Sequence, residues 1–178
     1  MNVTQTILAL IDMRSFSNLW YWIALAVTWS STAHWVLGVP YDMVLRARRK
    51  GGTAADDLVV MVRLNVIRLL YIGRESGLVL AMIVGFVLSS LAILGFFYWV
   101  EFAQAVFLIV FPLTIVGAMS LATARRLEAL LLGGAATAEL VVFRLTRHRF
   151  FVQLLGMMAI TVTALWGMWQ NLNLSVLR

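Results

Sequence analysis

One apolar run is too long to be a single helix across a bilayer, and it sets the terms for the rest of this sequence. From Gly77 to Ala124 there are 48 residues with one charged side chain, Glu101. A bilayer core of about 30 Å takes roughly 20 helical residues, so the run predicts a hairpin of two spans. Its turn belongs at Tyr98-Trp99-Val100-Glu101-Phe102-Ala103-Gln104, where the carboxylate stands beside two aromatics that favour the headgroup level. Two further apolar regions, Leu19 to Pro40 and Phe150 to Trp169, bring the expected spans to four. A mean hydropathy of +0.93, spread evenly over 178 residues, excludes an ordinary soluble domain with one core.

The expected fold class is therefore an all-α membrane protein, one transmembrane domain over residues 1–178. Its parts are an interfacial helix at 1–14, spans at 17–39, 76–99, 103–124 and 150–169, and cytoplasmic segments at 41–75 and 125–149. The interfacial helix follows from Val3, Ile7, Leu10 and Ile11, which share one helical face. Ser15-Phe16-Ser17-Asn18 then supplies capping residues for the first span, and Pro40 marks a bend at its exit.

Charge sets the orientation. Of 14 Lys and Arg, seven lie between the first two spans (Arg46, Arg48, Arg49, Lys50, Arg63, Arg68, Arg74) and five between the last two (Arg125, Arg126, Arg144, Arg147, Arg149). Positive residues stay inside. The expectation is a multi-pass protein of the bacterial cytoplasmic (inner) membrane with both loops cytoplasmic and both termini on the periplasmic side. Ser31-Thr32-Ala33 has the composition of a signal cleavage site, but the basic residues follow the first apolar run instead of preceding it. The first span is expected to be retained.

The second span carries Gly73, Gly77, Ala81, Gly85 and Ser89 four residues apart. In lipid, helices associate where small residues let backbones approach, and a row at this spacing predicts a partner crossing at roughly −40°. Shorter rows stand at Thr114, Ala118 and Ala122 and at Ala159, Thr163 and Gly167, and Pro112 is expected to kink the third span. Arg46, Arg48, Arg49, Lys50, Arg125, Arg126, Arg147 and Arg149 are candidate contacts for anionic lipid, each worth about 1 kcal/mol near a charged surface.

The two basic segments resemble each other. Gly51-Gly52, Asp57-Leu58-Val59-Val60 and Arg63-Leu64 in the first match Gly133-Gly134, Glu139-Leu140-Val141-Val142 and Arg144-Leu145 in the second. This predicts a tandem repeat whose halves share a topology about an axis along the membrane normal. In the first half Thr53 is the expected cap, with Asp56 and Asp57 in the first turn, of a helix running past Gly73 into the second span. Residues 136–149 should feed the fourth span in the same way. Both helices are rich in Leu and Val, so they need apolar cover from each other, the membrane or a neighbouring subunit.

His34, near the inner end of the first span, can be read as a proton relay or a metal ligand. With no second ligand near it in sequence and Ser30 and Ser31 one turn back, an interior histidine hydrogen-bonded between helices is the better reading. Ser30 and His34 together are the candidates for a polar pathway. The chain has no cysteine, which removes disulfides, thiolate catalysis and thiolate ligation of zinc or iron–sulfur clusters. It also lacks a Walker loop, a dinucleotide fingerprint, His-Glu-x-x-His and a serine elbow. No catalytic residue, metal or cofactor is expected, and the basic clusters are explained by orientation and headgroups without nucleic acid.

Ile11-Asp12-Met13-Arg14-Ser15-Phe16-Ser17-Asn18-Leu19-Trp20-Tyr21-Trp22, His34-Trp35-Val36-Leu37-Gly38-Val39-Pro40-Tyr41-Asp42 and Val100-Glu101-Phe102-Ala103-Gln104-Ala105-Val106-Phe107 resemble a family of small bacterial integral membrane proteins. Members are often labelled "component of SufBCD complex", and the resemblance runs over roughly residues 7 to 126. That label implies a link to iron–sulfur cluster assembly; it carries over no site residues. The expected function is a non-enzymatic structural or accessory subunit of a homo-oligomer or larger membrane complex, with anionic lipid and other membrane subunits as partners. The alternative is a small channel or carrier with a path between the halves, and a membrane enzyme ranks last.

Overall fold

The computed structural model describes residues 15–133 and 137–176, with side chains to residue 172. The expected interfacial helix at 1–14, Gly134 of the second Gly-Gly pair and Arg178 lie outside the described residues. Six α-helices account for most of the described chain: α1 Leu19–His34, α2 Tyr41–Lys50, α3 Gly52–Glu75, α4 Gly77–Ala92, α5 Glu101–Leu132 and α6 Ala138–Val176. Among the described residues, three helical stretches are long and apolar enough to cross a membrane: Gly77–Phe97, α5 and Ala138–Leu172.

The start of α1 is the one its sequence predicts, for Asn18 is extended and its side chain accepts a hydrogen bond from the Trp20 N–H at 3.0 Å. The helix stops earlier than expected. At 16 residues it is about 24 Å long. It gives way to a two-residue hairpin that the sequence did not predict, β1 Trp35–Val36 paired antiparallel with β2 Val39–Pro40. Leu37 and Gly38, at φ 53° and 76°, make the turn with two left-handed residues, which suits the twist of a tight hairpin. Leu37 tolerates that backbone because its side chain is buried with Val36 and Val39.

Gly51 turns the chain from α2 into α3 at φ 62°, ψ −156°, a conformation essentially reserved for glycine. The helix α3 begins at Gly52 without a side-chain cap, so Thr53 does not cap it and Asp56 and Asp57 fall beyond its first turn. Nor does α3 run unbroken into α4. Ser76, at φ −118° and ψ 5°, separates them, although its N–H still reaches the Ile72 carbonyl at 2.9 Å and its carbonyl still accepts from Leu80 at 2.8 Å. Gly73 and Gly77 on either side are weak helix formers, which explains why the break falls there.

The predicted turn of the long hairpin is present. After Ala92 the helix widens into a π turn, Ile93–Phe97, and Trp99 at φ 57° reverses the chain before α5 starts at Glu101. The N–H groups of Tyr98 and Val100 close the end on the carbonyls of Ile93 and Leu94. The long helix α5 then continues through Pro112 as one assigned helix, and α6 joins the basic segment to the last apolar stretch as expected.

Two clusters of contacts mark the two ends of the molecule. At the basic end Arg74 pairs with Glu128 at 2.7 Å, and Leu58, Val62, Val66, Leu127, Val141 and Leu145 form a buried core. The apolar cover that α3 and α6 needed is therefore supplied in part by each other and in part by α2 and α5. Val60, Leu64, Ile67 and Tyr71, along another strip of α3, stay exposed. At the opposite end the Phe16 N–H donates to Glu101 at 2.8 Å and the Ser17 hydroxyl to Asn171 at 2.8 Å. A smaller core of Leu25, Trp29, Val116 and Val152 joins α1, α5 and α6 between the two ends.

Candidate functional site

The small-residue row expected along the second span divides in two. Gly73, at the end of α3, is pressed against α5: a Cβ there would lie 3.0 Å from a methyl of Leu121. Gly77 and Gly85 have nothing within 4 Å of where a Cβ would stand, and Ala81, Gly85 and Ser89 are exposed. The Ser89 hydroxyl turns back to the Phe86 carbonyl at 3.0 Å, leaving no polar group to mark the face. No residue of α4 itself is buried. Ala118 and Ala122, from the row on α5, are also exposed.

Elsewhere the same kind of row is filled. On α6, Thr163 is fully buried and Gly167 lies beneath Phe16, whose Cβ would be 3.2 Å from an added methyl. Gly156 does the same for Trp29, whose ring would be 2.8 Å from an added methyl. One buried amide locks the end opposite the basic one. Gln104, at 0% exposure, donates to the Gly95 carbonyl at 2.8 Å and accepts from Trp166 at 3.0 Å and Gln170 at 2.6 Å. Gly95 is needed there, because a Cβ would come within 3.0 Å of the Gln104 backbone nitrogen. A lone amide early in an apolar run was the available sequence signal for this node.

The basic residues play unequal parts. Arg46 is exposed and 3.5 Å from Asp42, one turn away on the same helix. Arg48, Arg49 and Lys50 are exposed at the end of α2, with Arg48 on the wall of a cavity of about 710 Å³ between α2, α3 and α6. Arg125 and Arg126 are exposed near the end of α5. Arg149 departs from the expectation: it is half-buried, its Nε–H donates to the Ala33 carbonyl at 3.1 Å, and its guanidinium lies 3.7 Å over the Tyr41 ring. It ties α6 to α1 and α2.

A second cavity, of about 200 Å³, opens between α5 and α6. Arg126, Arg144, Arg147, His148 and Thr123 line it along with Met119, Ala122 and Phe151. Arg147 lies 5.7 Å over Phe151. His148 is only 5% exposed, with Nδ1 3.1 Å from the Thr123 hydroxyl and Nε2 3.3 Å from that of Ser120. The Thr123 proton goes to the Met119 carbonyl at 2.8 Å, so Thr123 accepts from Nδ1–H and Ser120 donates to Nε2. The ring is a strut between two helices.

His34 does not take the interior place expected of it. His34 and Ser30 are exposed, and His34 makes an edge contact with Trp35 at 5.8 Å but no hydrogen bond to Ser30 or Ser31. Neither residue is placed to line a path through the interior, and the hydrogen-bonded interior histidine is His148. Its position one helical turn after Arg144 and next to Arg147 was the signal; burial was not readable.

No family model, curated protein or solved structure matches the chain.

Proposed function

We propose that this is a non-enzymatic integral membrane protein that assembles with further copies of itself through the open face of α4. The observation that carries the reading is the row Gly77, Ala81, Gly85, Ser89, which leaves a shallow seam on a helix with no buried residue. Small residues on a lipid-facing helix gain nothing from lipid, whereas a second helix gains close backbone contact from them. The exposed apolar strip of α3, Val60 to Tyr71, extends the surface toward the basic end. If the resemblance to the "component of SufBCD complex" family holds, such an assembly would serve a larger complex linked to iron–sulfur cluster assembly.

On the same reading the chain crosses the bilayer four times. Support for a crossing by α1 is its packing along α6, from Phe16 just before the helix on Gly167, through Trp29 on Gly156, to the bond between Arg149 and the Ala33 carbonyl, so the two cover the same apolar depth. The basic end then lies in the cytoplasm. A cysteine-free chain makes this easy to test: Thr53→Cys should react with an impermeant maleimide in inverted vesicles and not in intact cells. Labelling from outside would end the topology.

Assembly is tested with Gly85→Leu. The unaltered protein in lipid nanodiscs should run as a defined multimer by native mass spectrometry, and the variant as a folded monomer. A monomer from the unaltered chain, or an unchanged multimer from the variant, removes the proposal.

A further inference from the structure

The cavity between α5 and α6 brings three guanidinium groups together with no carboxylate on its wall. Among the described residues none of Arg126, Arg144 and Arg147 is in an ion pair; the nearby acid of α5, Glu128, is taken by Arg74 at 2.7 Å. The Nε–H of Arg144 is buried and has no hydrogen-bond partner. Buried donors are nearly always satisfied, and this one belongs to a residue that lines a basic cavity. His148 cannot supply an acceptor, since both ring nitrogens are engaged with Ser120 and Thr123.

The rest of the lining narrows the chemistry. Three planar donor forks match the tetrahedral oxygens of a phosphate, which can take paired hydrogen bonds from each. Met119, Ala122 and Phe151 give the same cavity an apolar side continuous with the apolar stretches of α5 and α6. A free anion has no use for that side. We infer that the cavity is a specific site for the phosphate of an anionic phospholipid, whose headgroup meets Arg126, Arg144 and Arg147 and whose upper acyl chain lies against Met119 and Phe151. The site lies within one chain, so it stands or falls independently of assembly through α4.

The full chain in a neutral detergent is titrated with short-chain phosphatidylglycerol, with phosphatidylcholine and with inorganic phosphate, and bound lipid is read by native mass spectrometry. Phosphatidylglycerol should bind, phosphatidylcholine should bind far more weakly, and millimolar inorganic phosphate should not displace the lipid. Removing two contacts with Arg126→Gln and Arg147→Gln should weaken phosphatidylglycerol about thirty-fold. Removing the same charge at Arg48→Gln and Arg49→Gln should weaken it less than about three-fold, because those residues lie on another segment. Arg144→Lys keeps the charge and loses the planar fork, and is expected to weaken binding about ten-fold. Equal losses from the two double variants would reduce the site to diffuse attraction and overturn the inference. Displacement by inorganic phosphate would overturn the lipid as occupant, and wild-type affinity in Arg144→Lys would overturn the pocket.

Discussion

The helices α4 and α6 carry the same sequence signature and meet opposite fates. On α6 the small residues are covered, Gly156 by the Trp29 ring and Gly167 by Phe16. On α4, Gly77 and Gly85 look onto empty space. A glycine in a membrane helix is thus a licence for close approach and says nothing about which helix takes it up. In this chain α1 takes it up on α6. The short α1, anchored at Asn171 and Gly167 at one end and at Arg149 at the other, exists to fill that seam, and no described element does the same for α4.

The contrast breaks most readily at its filled side. Trp29→Ala should cost the fold about 3 kcal/mol, read by thermal or dodecyl sulfate unfolding, because it empties the space above Gly156. The indole N–H of Trp29 has no partner, so the loss is one of packing alone. Gly156→Leu attacks the seam from the other helix and should cost about 2 kcal/mol through overpacking, with the folded fraction keeping its oligomeric state. Gly85→Leu should move monomer stability by no more than about 0.5 kcal/mol while abolishing the multimer. A large stability loss from Gly85→Leu, or a shift to monomer in Gly156→Leu, would show that the filled and open seams are not distinct in kind.

Helical class, the reversal after Tyr98 and the continuity of α6 were legible because each rests on local chemistry: a long apolar run, one carboxylate among interfacial aromatics, and the absence of a breaker after Ala138. What was not legible depends on contacts distant in sequence. Leu37 adopts a left-handed backbone only because the core at the basic end buries its side chain, which no window around Val36 to Val39 reveals. His34 was the histidine expected in the interior, and only the approach of Ser120 and Thr123, distant in sequence, shows that His148 holds that place. The tandem repeat in the letters also meets different structures: α3 and α4 are broken at Ser76, where the matching part of the second half is one continuous α6. Gly73 and Gly77 flank that break and have no glycine counterparts in the second half, where Leu154 and Met158 stand at the matching positions after Arg149.

The interruption at Ser76 has a mechanical consequence. A continuous rod transmits any change of inclination along its whole length, as α6 must. At Ser76 the chain has a joint one residue long, held by a hydrogen bond on each side. The apolar length of α4 can therefore lean to match thicker or thinner lipid while the basic-end core, with α3 clamped in it, keeps its attitude.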